Sequence, residues 1–255
     1  MSFTAIEIAK KLKKIKPDIL VLLGDRYELL AAAQASMIYN IPIAHIHGGE
    51  STEGLIDEAI RHAITKMSHL HFVANIKYYN RIVQMGENKK FIFNYGAIGI
   101  DNIKALKVIP KKMLFKILNI NTEFNTFLIT YHPLTLDAIS GYKTLLNLLE
   151  VLKKFKNTNL VFTYPNSDTH SKKIIFIINN FLKTKNIKGV FIKNLGSQNY
   201  LNLIKYSNLV IGNSSSGIIE VPSLKIPTIN IGKRQHGRLS SKSVINSEED
   251  IRSIS

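Results

Sequence analysis

Two clusters of polar residues, far apart in the chain, carry the side chains that could do chemistry. The first is made of residues 24–26, 45–50 and 57–62, and it is rich in aspartate, glutamate, histidine and glycine. The second is made of residues 212–220 and 232–238, and it is rich in serine, glycine and arginine. The first composition suits proton transfer, and the second suits a phosphate-bearing ligand. Together they predict a site in a cleft between two domains.

The first cluster offers Asp25, His47, Glu50 and Asp57 as candidate catalytic residues. Ionisable groups packed together perturb one another's pKa values, and general acid–base chemistry exploits this. Asp25 has a structural alternative, since an aspartate before a helix can cap its N-terminus. Asp57 also has one, because the helix dipole favours a carboxylate in the first turn, and Arg61 four residues later could pair with it.

Other features of the first cluster have more than one interpretation. Gly48 and Gly49 follow a predicted strand, where glycines would let the backbone approach a ligand closely. Glu53 and Glu58 add carboxylates to the same stretch, and Glu58 could pair with His62 on a helix. A metal site is an alternative for four side chains, although their spacing matches no standard zinc motif. Those four are His45, His47, Glu50 and His62.

The second cluster has the residue types of an anion site. Asn213, Ser214 and Ser215 stand between a buried strand and a short apolar helical turn, where backbone N–H groups and hydroxyls can bind a diphosphate. The alternative is ordinary serine capping, but three consecutive serines exceed what a cap needs. Glu220 could accept hydrogen bonds from ribose hydroxyls, and Arg234 could oppose phosphate oxygens.

Two further candidate substrate-binding residues stand at the ends of other predicted strands. His132 follows one strand, and Arg26 stands where another strand leads into a helix. We expect both side chains to reach the same site, although a lone histidine is more often structural. We also expect Pro222 to end the short helical turn.

Strand and helix patterns alternate along the chain. Short continuous apolar runs are typical of strands buried on both faces of a parallel sheet, and their alternation with helices predicts right-handed βαβ units. We predict strands at residues 19–23, 41–44, 70–73, 127–130, 160–162, 190–192, 209–211 and 228–231. We predict helices at residues 27–39, 57–67, 145–155 and 198–206.

These elements predict an α/β protein with two parallel-sheet domains, residues 1–103 and 104–255. In open parallel sheets, ligands bind beyond the carboxyl ends of the strands. Both clusters occupy that position, because four of their residues, together with His132, come at or just after the end of a predicted strand. These are Asp25, His45, His132, Asn213 and Gly232.

Composition narrows the choice of partners and compartment. The formal net charge of +16 would attract anions, but the lysines form no aromatic-interleaved stripe, so we expect no nucleic-acid partner. No apolar stretch has the ~18 residues that a membrane span needs, and we expect no membrane partner. The absence of cysteine excludes disulfides and thiolate metal sites, and it fits a reducing cytoplasm.

In both clusters, the chain resembles the hydrolysing UDP-N-acetylglucosamine 2-epimerases. Among them it is similar to the bacterial branch that serves sialic and legionaminic acid synthesis. The motifs that carry the resemblance run through nearly the whole chain. They are residues 24–28, 45–50, 56–66, 130–133, 212–220 and 234–238.

The resemblance implies the two-Rossmann-domain fold of GT-B glycosyltransferases, with no metal or redox cofactor. It implies elimination of UDP to a glycal, followed by hydration to the free 2-epimeric sugar. Asp25 and Asp57 match catalytic positions of the family. His47 stands where some relatives have glutamate, so Glu50 or His47 would supply that function. The nucleotide-holding positions are matched by His132, Ser214, Ser215, Glu220 and Arg234.

Two departures from the family pattern lead to further expectations. The sequence lacks the family's opening glycine-containing loop and its closing helices, which predicts an incomplete N-terminal domain and truncation at both ends. A non-catalytic nucleotide-sugar-binding remnant and a GT-B glycosyltransferase are therefore alternatives to the epimerase. For the complete family member, the resemblance implies a homo-oligomer whose partner is a nucleotide-sugar substrate.

Overall fold

The structure is a computed structural model of the 255-residue chain, and it describes residues 2–52, 56–133, 138–166 and 170–255. The chain divides into two compact units, Met1–Ile98 and Gly99–Ser255. The helix at Gly99–Lys104 packs on a 3-10 helix at Val221–Leu224, and so it belongs to the second unit. The domain boundary after residue 103 stays a prediction.

The first unit contains, among its described residues, a parallel sheet in the order β1-β2-β3-β4. Its strands are β1 (Leu20–Leu23), β2 (Ile43–Ile46), β3 (Leu70–Val73) and β4 (Ile92–Asn94). Its helices are α1 (Ser2–Ile15), α2 (Tyr27–Ile38), α3 (Asp57–Met67) and α4 (Ile76–Gln84), with a 3-10 helix at Lys89–Phe91.

The second unit contains, in the part that the structure describes, a parallel sheet in the order β10-β9-β8-β5-β6-β7. Its strands are β5 (Asn125–Thr130), β6 (Thr158–Thr163), β7 (Gly189–Ile192), β8 (Leu209–Gly212), β9 (Thr228–Ile231) and β10 (Val244–Ser247). Its helices are α5 (Gly99–Lys104), α6 (Lys111–Ile117), α7 (Ala138–Leu152), α8 (Ser171–Leu182), α9 (Gly196–Tyr206), α10 (Ser216–Ile219) and α11 (Ile251–Ile254).

The order of the second sheet shows where its binding edge lies. From β5 the chain builds outward through β6 and β7, and it then returns to the other side of β5 to add β8, β9 and β10. The reversal between β5 and β8 is the topological switch point, where the loops after neighbouring strands separate and leave a crevice. The loops that begin at Tyr131 and Asn213 leave the sheet there.

Apolar cores cover the second sheet. On one side, Ile129 and Phe162 pack with Leu148 of α7 and Ile178 of α8. A second cluster contains Leu128 of β5. Because neighbouring residues of β5 point to opposite faces, the continuous apolar run buries both faces, as predicted.

The first sheet differs from the prediction at β1. Leu22 is buried, but Val21 and Leu23 are 57% and 51% exposed. The interpretation of residues 19–23 as a strand buried on both faces is therefore wrong for one face, which no described element covers. An apolar run indicates that a strand can be buried, but it does not determine which elements pack on each face of that strand.

The other predicted elements are present with shifted ends. Residues 41–44 contribute to β2, which starts after Pro42 and runs on to Ile46, so His45 lies inside the strand. The helix predicted to start at residue 145 begins at residue 138 as α7. No helix of the described chain is long and apolar enough to cross a membrane.

Candidate functional site

Asp25 in the loop after β1 is held by Arg61 of α3. The Arg61 guanidinium forms an ion pair with the Asp25 carboxylate, and Arg61 is itself only 1% exposed. The N-cap position of α2 is taken by Arg26, which makes no side-chain cap hydrogen bond. Asp25 is therefore the partner of a buried arginine rather than the cap residue of α2.

His45 lies in β2 with no exposed surface, and both of its ring nitrogens are engaged. Nε2 lies 2.8 Å from the Gly24 carbonyl oxygen, and Nδ1 lies 3.1 Å from the Thr65 hydroxyl. Burial lowers the pKa of His45 to about 4, so the imidazole is neutral at pH 7. The prediction that His45 ends a strand at the binding edge is wrong, because β2 continues beyond it.

His47 and Glu50 form a close pair in the loop after β2. His47 Nδ1 lies 2.7 Å from Glu50 Oε1, and Glu50 is only 3% exposed. His47 has a positive φ of 65°, an uncommon backbone conformation for a residue with a side chain. Since a carboxylate only accepts hydrogen bonds, Nδ1 of His47 is the donor in this contact.

The two glycines of this loop pack closely against other elements of the first unit. A Cβ atom on Gly48 would stand 3.0 Å from His45 Nδ1, and one on Gly49 would stand 2.6 Å from the Tyr78 carbonyl oxygen. Gly49 also has a φ of 74°, which favours glycine. The sequence predicts close approach to a ligand, but close packing against β2, α3 and α4 is sufficient reason for both glycines.

The carboxylates at the start of α3 have different environments. Glu58 accepts hydrogen bonds from the Ser51 hydroxyl and the Thr52 N–H, each at 2.9 Å, and it lies 3.6 Å from His62. Burial pushes the pKa of Glu58 upward, but these hydrogen bonds outweigh burial and the net pKa is lowered. Asp57 is the first residue of α3 and is half-buried. Glu53 lies outside the described residues.

These contacts speak against the metal alternative for this cluster. Both nitrogens of His45 already have protein partners, and His47 Nδ1 faces Glu50. Among the described residues, no group of three or more histidine, aspartate or glutamate side chains is arranged to hold a metal ion. The geometry instead provides two carboxylate–histidine pairs, His47 with Glu50 and His62 with Glu58, and the ion pair of Asp25 with Arg61.

In the second unit, the switch point is bridged by Asn213. Its side-chain amide accepts a hydrogen bond from the His132 N–H at 2.7 Å and donates one to the His132 carbonyl at 2.9 Å. Asn213 is 1% exposed, so these two hydrogen bonds join the loops after β5 and β8 away from water. The main-chain carbonyl of Asn213 accepts hydrogen bonds from Arg234 at 3.1 Å and Gln235 at 2.8 Å.

His132 itself is a buried, neutral imidazole. Burial lowers its pKa to about 3, helped by the nearby Arg234 charge. Its Nδ1 accepts a hydrogen bond from the Asn166 N–H at 3.1 Å, so the single proton of the neutral ring is on Nε2. His132 is therefore a hydrogen-bond donor at neutral pH.

A cavity of about 360 Å³ opens at the carboxyl ends of β5, β6 and β7. Its walls include the side chains of Thr130 and Thr163, whose hydroxyls lie 2.6 Å apart, and of Tyr200 from α9, which donates to the Ser216 hydroxyl at 3.0 Å. His132 and Ser214 line the same cavity. Its polar groups are hydroxyls, amides and one neutral imidazole, together with Lys193 and backbone.

The remaining predicted residues of the second cluster lie around α10. Ser215 is the N-cap residue of α10, without a side-chain cap hydrogen bond, and Glu220 follows its last residue. The carboxylate of Glu220 lies against Gly99, where a Cβ atom would be 2.6 Å from Oε1. Pro222 does not end the turn as expected, because it is the second residue of the 3-10 helix at Val221–Leu224, and the first turn of a helix tolerates a missing N–H.

Arg26 has partners close to it in sequence. Its guanidinium lies 3.4 Å from Glu28 and 5.4 Å from the centre of the Tyr27 ring. The structure thus places Arg26 at the start of α2. Its role as a substrate-binding residue stays a prediction.

Several residues of these networks were not among the candidates. Arg61 was considered only as a partner of Asp57, although an arginine on the half of a helix that faces a sheet signals a buried ion pair. Tyr200 and Gln235 gave no separate signal, because each becomes informative only through a partner distant in sequence.

Fold and contacts together define a parallel α/β protein of two units, with polar loops at the sheet of each unit. The chain belongs to the UDP-N-acetylglucosamine 2-epimerase family, whose model matches residues 1–255. This confirms the family that the motifs predict.

Among curated relatives, the chain is 44% identical to a GDP/UDP-N,N'-diacetylbacillosamine 2-epimerase (hydrolyzing) from Campylobacter jejuni, over 97% of this chain and 65% of the relative. It is 37% identical to a UDP-N,N'-diacetylbacillosamine 2-epimerase (hydrolyzing) from Legionella pneumophila, over 90% of this chain and 60% of the relative. The chain thus spans a little under two thirds of the length of these relatives.

Among solved structures, a UDP-GlcNAc 2-epimerase from Neisseria meningitidis bound to UDP-GlcNAc matches with a TM-score of 0.80 and 19% identity, over 98% of this chain and 70% of the other. A Methanocaldococcus jannaschii UDP-GlcNAc 2-epimerase matches with a TM-score of 0.79 and 20% identity, again over 98% and 70%. These matches confirm the predicted GT-B-type fold of two parallel-sheet α/β domains.

Proposed function

We propose that this chain has the activity of a hydrolysing 2-epimerase, which converts a UDP-linked N-acetylated amino sugar into the free 2-epimeric sugar and UDP. The observation that carries the proposal is the 2.7 Å contact between His47 Nδ1 and Glu50 Oε1 in a chain of the epimerase family. A histidine oriented by a buried carboxylate through one ring nitrogen can accept a proton on the other ring nitrogen.

The proposed reaction has two balanced steps. In the first, a base takes the proton from carbon 2 of the sugar, the electron pair forms a carbon 1–carbon 2 double bond, and the bond from carbon 1 to UDP breaks. In the second, water adds across that double bond, with a proton to the opposite face of carbon 2 and hydroxyl to carbon 1. The net change consumes one water and releases UDP.

In this proposal the first unit supplies proton transfer. Nε2 of His47 takes or returns a proton, and Glu50 stabilises the imidazolium that forms. Asp25 and Asp57 are the other candidates for proton transfer, either from the attacking water or to the leaving group. Arg61 offsets the charge of Asp25 and fixes the direction of its carboxylate.

The second unit binds the nucleotide in this proposal. Nε2–H of His132 and the hydroxyls of Ser214 and Ser215 donate to diphosphate oxygens, while Glu220 accepts from ribose hydroxyls. A neutral His132 can donate a hydrogen bond but does not hold a full charge, so it binds UDP and still lets it leave. Asn213 keeps the two loops in register, and Arg26 and Arg234 add positive charge.

The relatives narrow the choice of sugar. The relatives at 44% and 37% identity are both named for N,N'-diacetylbacillosamine, and one at 32% identity from Neisseria meningitidis is named for UDP-N-acetylglucosamine. We propose a UDP-linked sugar with an acetamido group at carbon 2, and the diacetamido sugar is the first to test. Function in the cytoplasm and assembly as a homo-oligomer remain predictions.

The test is a proton NMR time course of the chain with UDP-N,N'-diacetylbacillosamine and, separately, with UDP-N-acetylglucosamine in D2O. The proposal predicts free UDP and a free 2-epimeric sugar with deuterium at carbon 2. Folded protein that binds UDP but releases none from either sugar would contradict the epimerase and favour a binding remnant. Transfer to an added sugar acceptor, rather than to water, would favour a glycosyltransferase.

A further inference from the structure

His45 is a fully buried imidazole that the proposed reaction does not use. It lies in β2, and its two nitrogens reach the two elements that hold Asp25. Nε2 is 2.8 Å from the carbonyl of Gly24, and Nδ1 is 3.1 Å from the hydroxyl of Thr65. A buried histidine with two such partners needs an explanation beyond filling space.

The proton on this ring can be assigned from its partners. With a pKa lowered by burial to about 4, the ring is neutral at pH 7 and carries one N–H. The Gly24 carbonyl can only accept, so the proton is on Nε2. Nδ1 is then the unprotonated nitrogen, and the Thr65 hydroxyl beside it has the Arg61 carbonyl at 2.9 Å as a second acceptor, so His45 is a donor toward Gly24.

The donor acts on the peptide group from which Asp25 extends. Gly24 has a φ of 88° and directly precedes Asp25, so fixing its carbonyl fixes the plane of the Gly24–Asp25 peptide. Thr65 stands one helical turn after Arg61 on α3, and Arg61 pairs with the Asp25 carboxylate. Backbone and side chain of Asp25 are therefore both held through β2 and α3.

The surroundings of His45 fit this role. A Cβ atom on Gly48 would stand 3.0 Å from His45 Nδ1 and 3.1 Å from Thr65 Oγ1, so glycine leaves the room that this contact needs. The nearby charged and titratable groups are Glu50, His47 and His71.

We propose that His45 is a positioning residue that fixes the backbone at Asp25 through its Nε2–H donor to Gly24, and that it transfers no proton itself. The inference rests on the proposed function, in which Asp25 touches reacting groups. Misplacing a catalytic group by about 1 Å can cost about 10²-fold in rate, so the donor matters to turnover without contacting substrate.

The test compares two substitutions of similar size. In His45→Gln the side-chain amide nitrogen can occupy the place of Nε2 and still donate to Gly24. In His45→Asn the amide nitrogen stands near the place of Nδ1, close to Thr65 but too short to reach Gly24. Both variants lack a titratable ring, so the comparison separates the donor from any proton transfer.

We expect His45→Asn to lower kcat by about 10²-fold with KM within about threefold, while His45→Gln stays within about fivefold of the wild type with the same pH profile. Equal losses in both variants would overturn the proposal and indicate proton transfer by His45 or a purely structural role. Wild-type kcat in His45→Asn would also overturn it.

A second measurement keeps the inference testable if the chain shows no epimerase activity. The backbone amide signals of Gly24 and Asp25 in 1H–15N spectra should move in His45→Asn and stay near their wild-type positions in His45→Gln. Thermal unfolding and UDP binding verify that each variant folds. Unmoved signals in His45→Asn would contradict the contact itself, whatever the outcome for the proposed function.

Discussion

The polar loops of the two units are held in place by different kinds of contact. The loops of the first unit are joined by charged side chains, with Arg61 on Asp25 and Glu50 on His47. The loops of the second unit are joined mainly by neutral groups, with the Asn213 amide on His132 and the Tyr200 hydroxyl on Ser216, and Arg234 adds one charged donor to the Asn213 carbonyl. A histidine–carboxylate pair can exchange a proton and change charge, whereas neutral amides and hydroxyls keep one state across a wide pH range. The difference supports proton transfer in the first unit and ligand binding in the second.

The largest effect should come from removing the buried charge of the first unit. Arg61→Met leaves the Asp25 carboxylate without its partner, and we expect a loss of about 3 kcal/mol in the free energy of unfolding of that unit. The measurement is urea unfolding followed by NMR at the buried methyl groups of Ile64. Arg252→Met on the exposed surface of α11 is the control, and an equal loss in both variants would contradict the account.

Changing the neutral Asn213 side chain in the second unit should lower the free energy of unfolding by less than Arg61→Met does. Asn213→Asp keeps the acceptor toward the His132 N–H but turns an oxygen toward the His132 carbonyl, so one buried carbonyl loses its donor. We expect about 2 kcal/mol of destabilisation, read at the buried methyl groups of Ile129, with no change at Ile64. Destabilisation of both units together would show that they do not unfold separately.

Acid should destabilise both units, because each contains a buried neutral histidine. Below pH ~6.5 these histidines bind a proton in the unfolded chain but not in the folded chain, so the free energy of unfolding falls as the pH falls. At pH 5 we expect a loss of about 2 kcal/mol for each histidine. The loss should level off near pH 4 for His45 and near pH 3 for His132, where the folded chain also binds the proton.

Two variants check the assignment of this pH effect. His132→Asn should flatten the dependence at Ile129 only. His45→Gln should reduce it at Ile64 only, where the buried His71, whose pKa is also lowered by burial, contributes the rest. NMR-detected urea unfolding at pH 7 and pH 5 measures both. A steep pH dependence that remains in a variant would assign it to other groups.

The smallest effect concerns one hydroxyl of the ligand cavity. Burial raises the pKa of Tyr200, so its hydroxyl stays protonated and donates to Ser216. Tyr200→Phe should weaken UDP binding about fivefold, which corresponds to one neutral hydrogen bond. Tyr206→Phe is the matched control, because this tyrosine of the same helix donates to the Ile109 carbonyl and does not line the cavity. Isothermal titration of both variants should separate them, and equal affinities would place UDP elsewhere.

The sequence predicts the elements better than it predicts their partners. The strands at residues 70–73 and 228–231 and the helix at residues 57–67 have the predicted bounds, since apolar periodicity is a local property. Strands β4 and β10 and several helices were not predicted, because a three- or four-residue strand with polar residues has a weak pattern.

The site was predicted at the level of residue types. The contact between His47 and Glu50 spans three residues and follows from local sequence. The ion pair of Arg61 with Asp25 and the hydrogen bonds of Asn213 to His132 span 36 and 81 residues. Such pairs depend on which strands become neighbours, and that is a property of the whole sheet.

The most direct test of the central claim measures turnover and UDP binding in the same samples of wild type and His47→Gln. Proton NMR in D2O follows deuterium at carbon 2, and saturation-transfer signals follow bound UDP. The account predicts that turnover falls by about 10²- to 10⁴-fold while the Kd for UDP stays within about twofold. Unchanged turnover, or a parallel loss of UDP binding, would contradict the division of proton transfer and nucleotide binding between the two units.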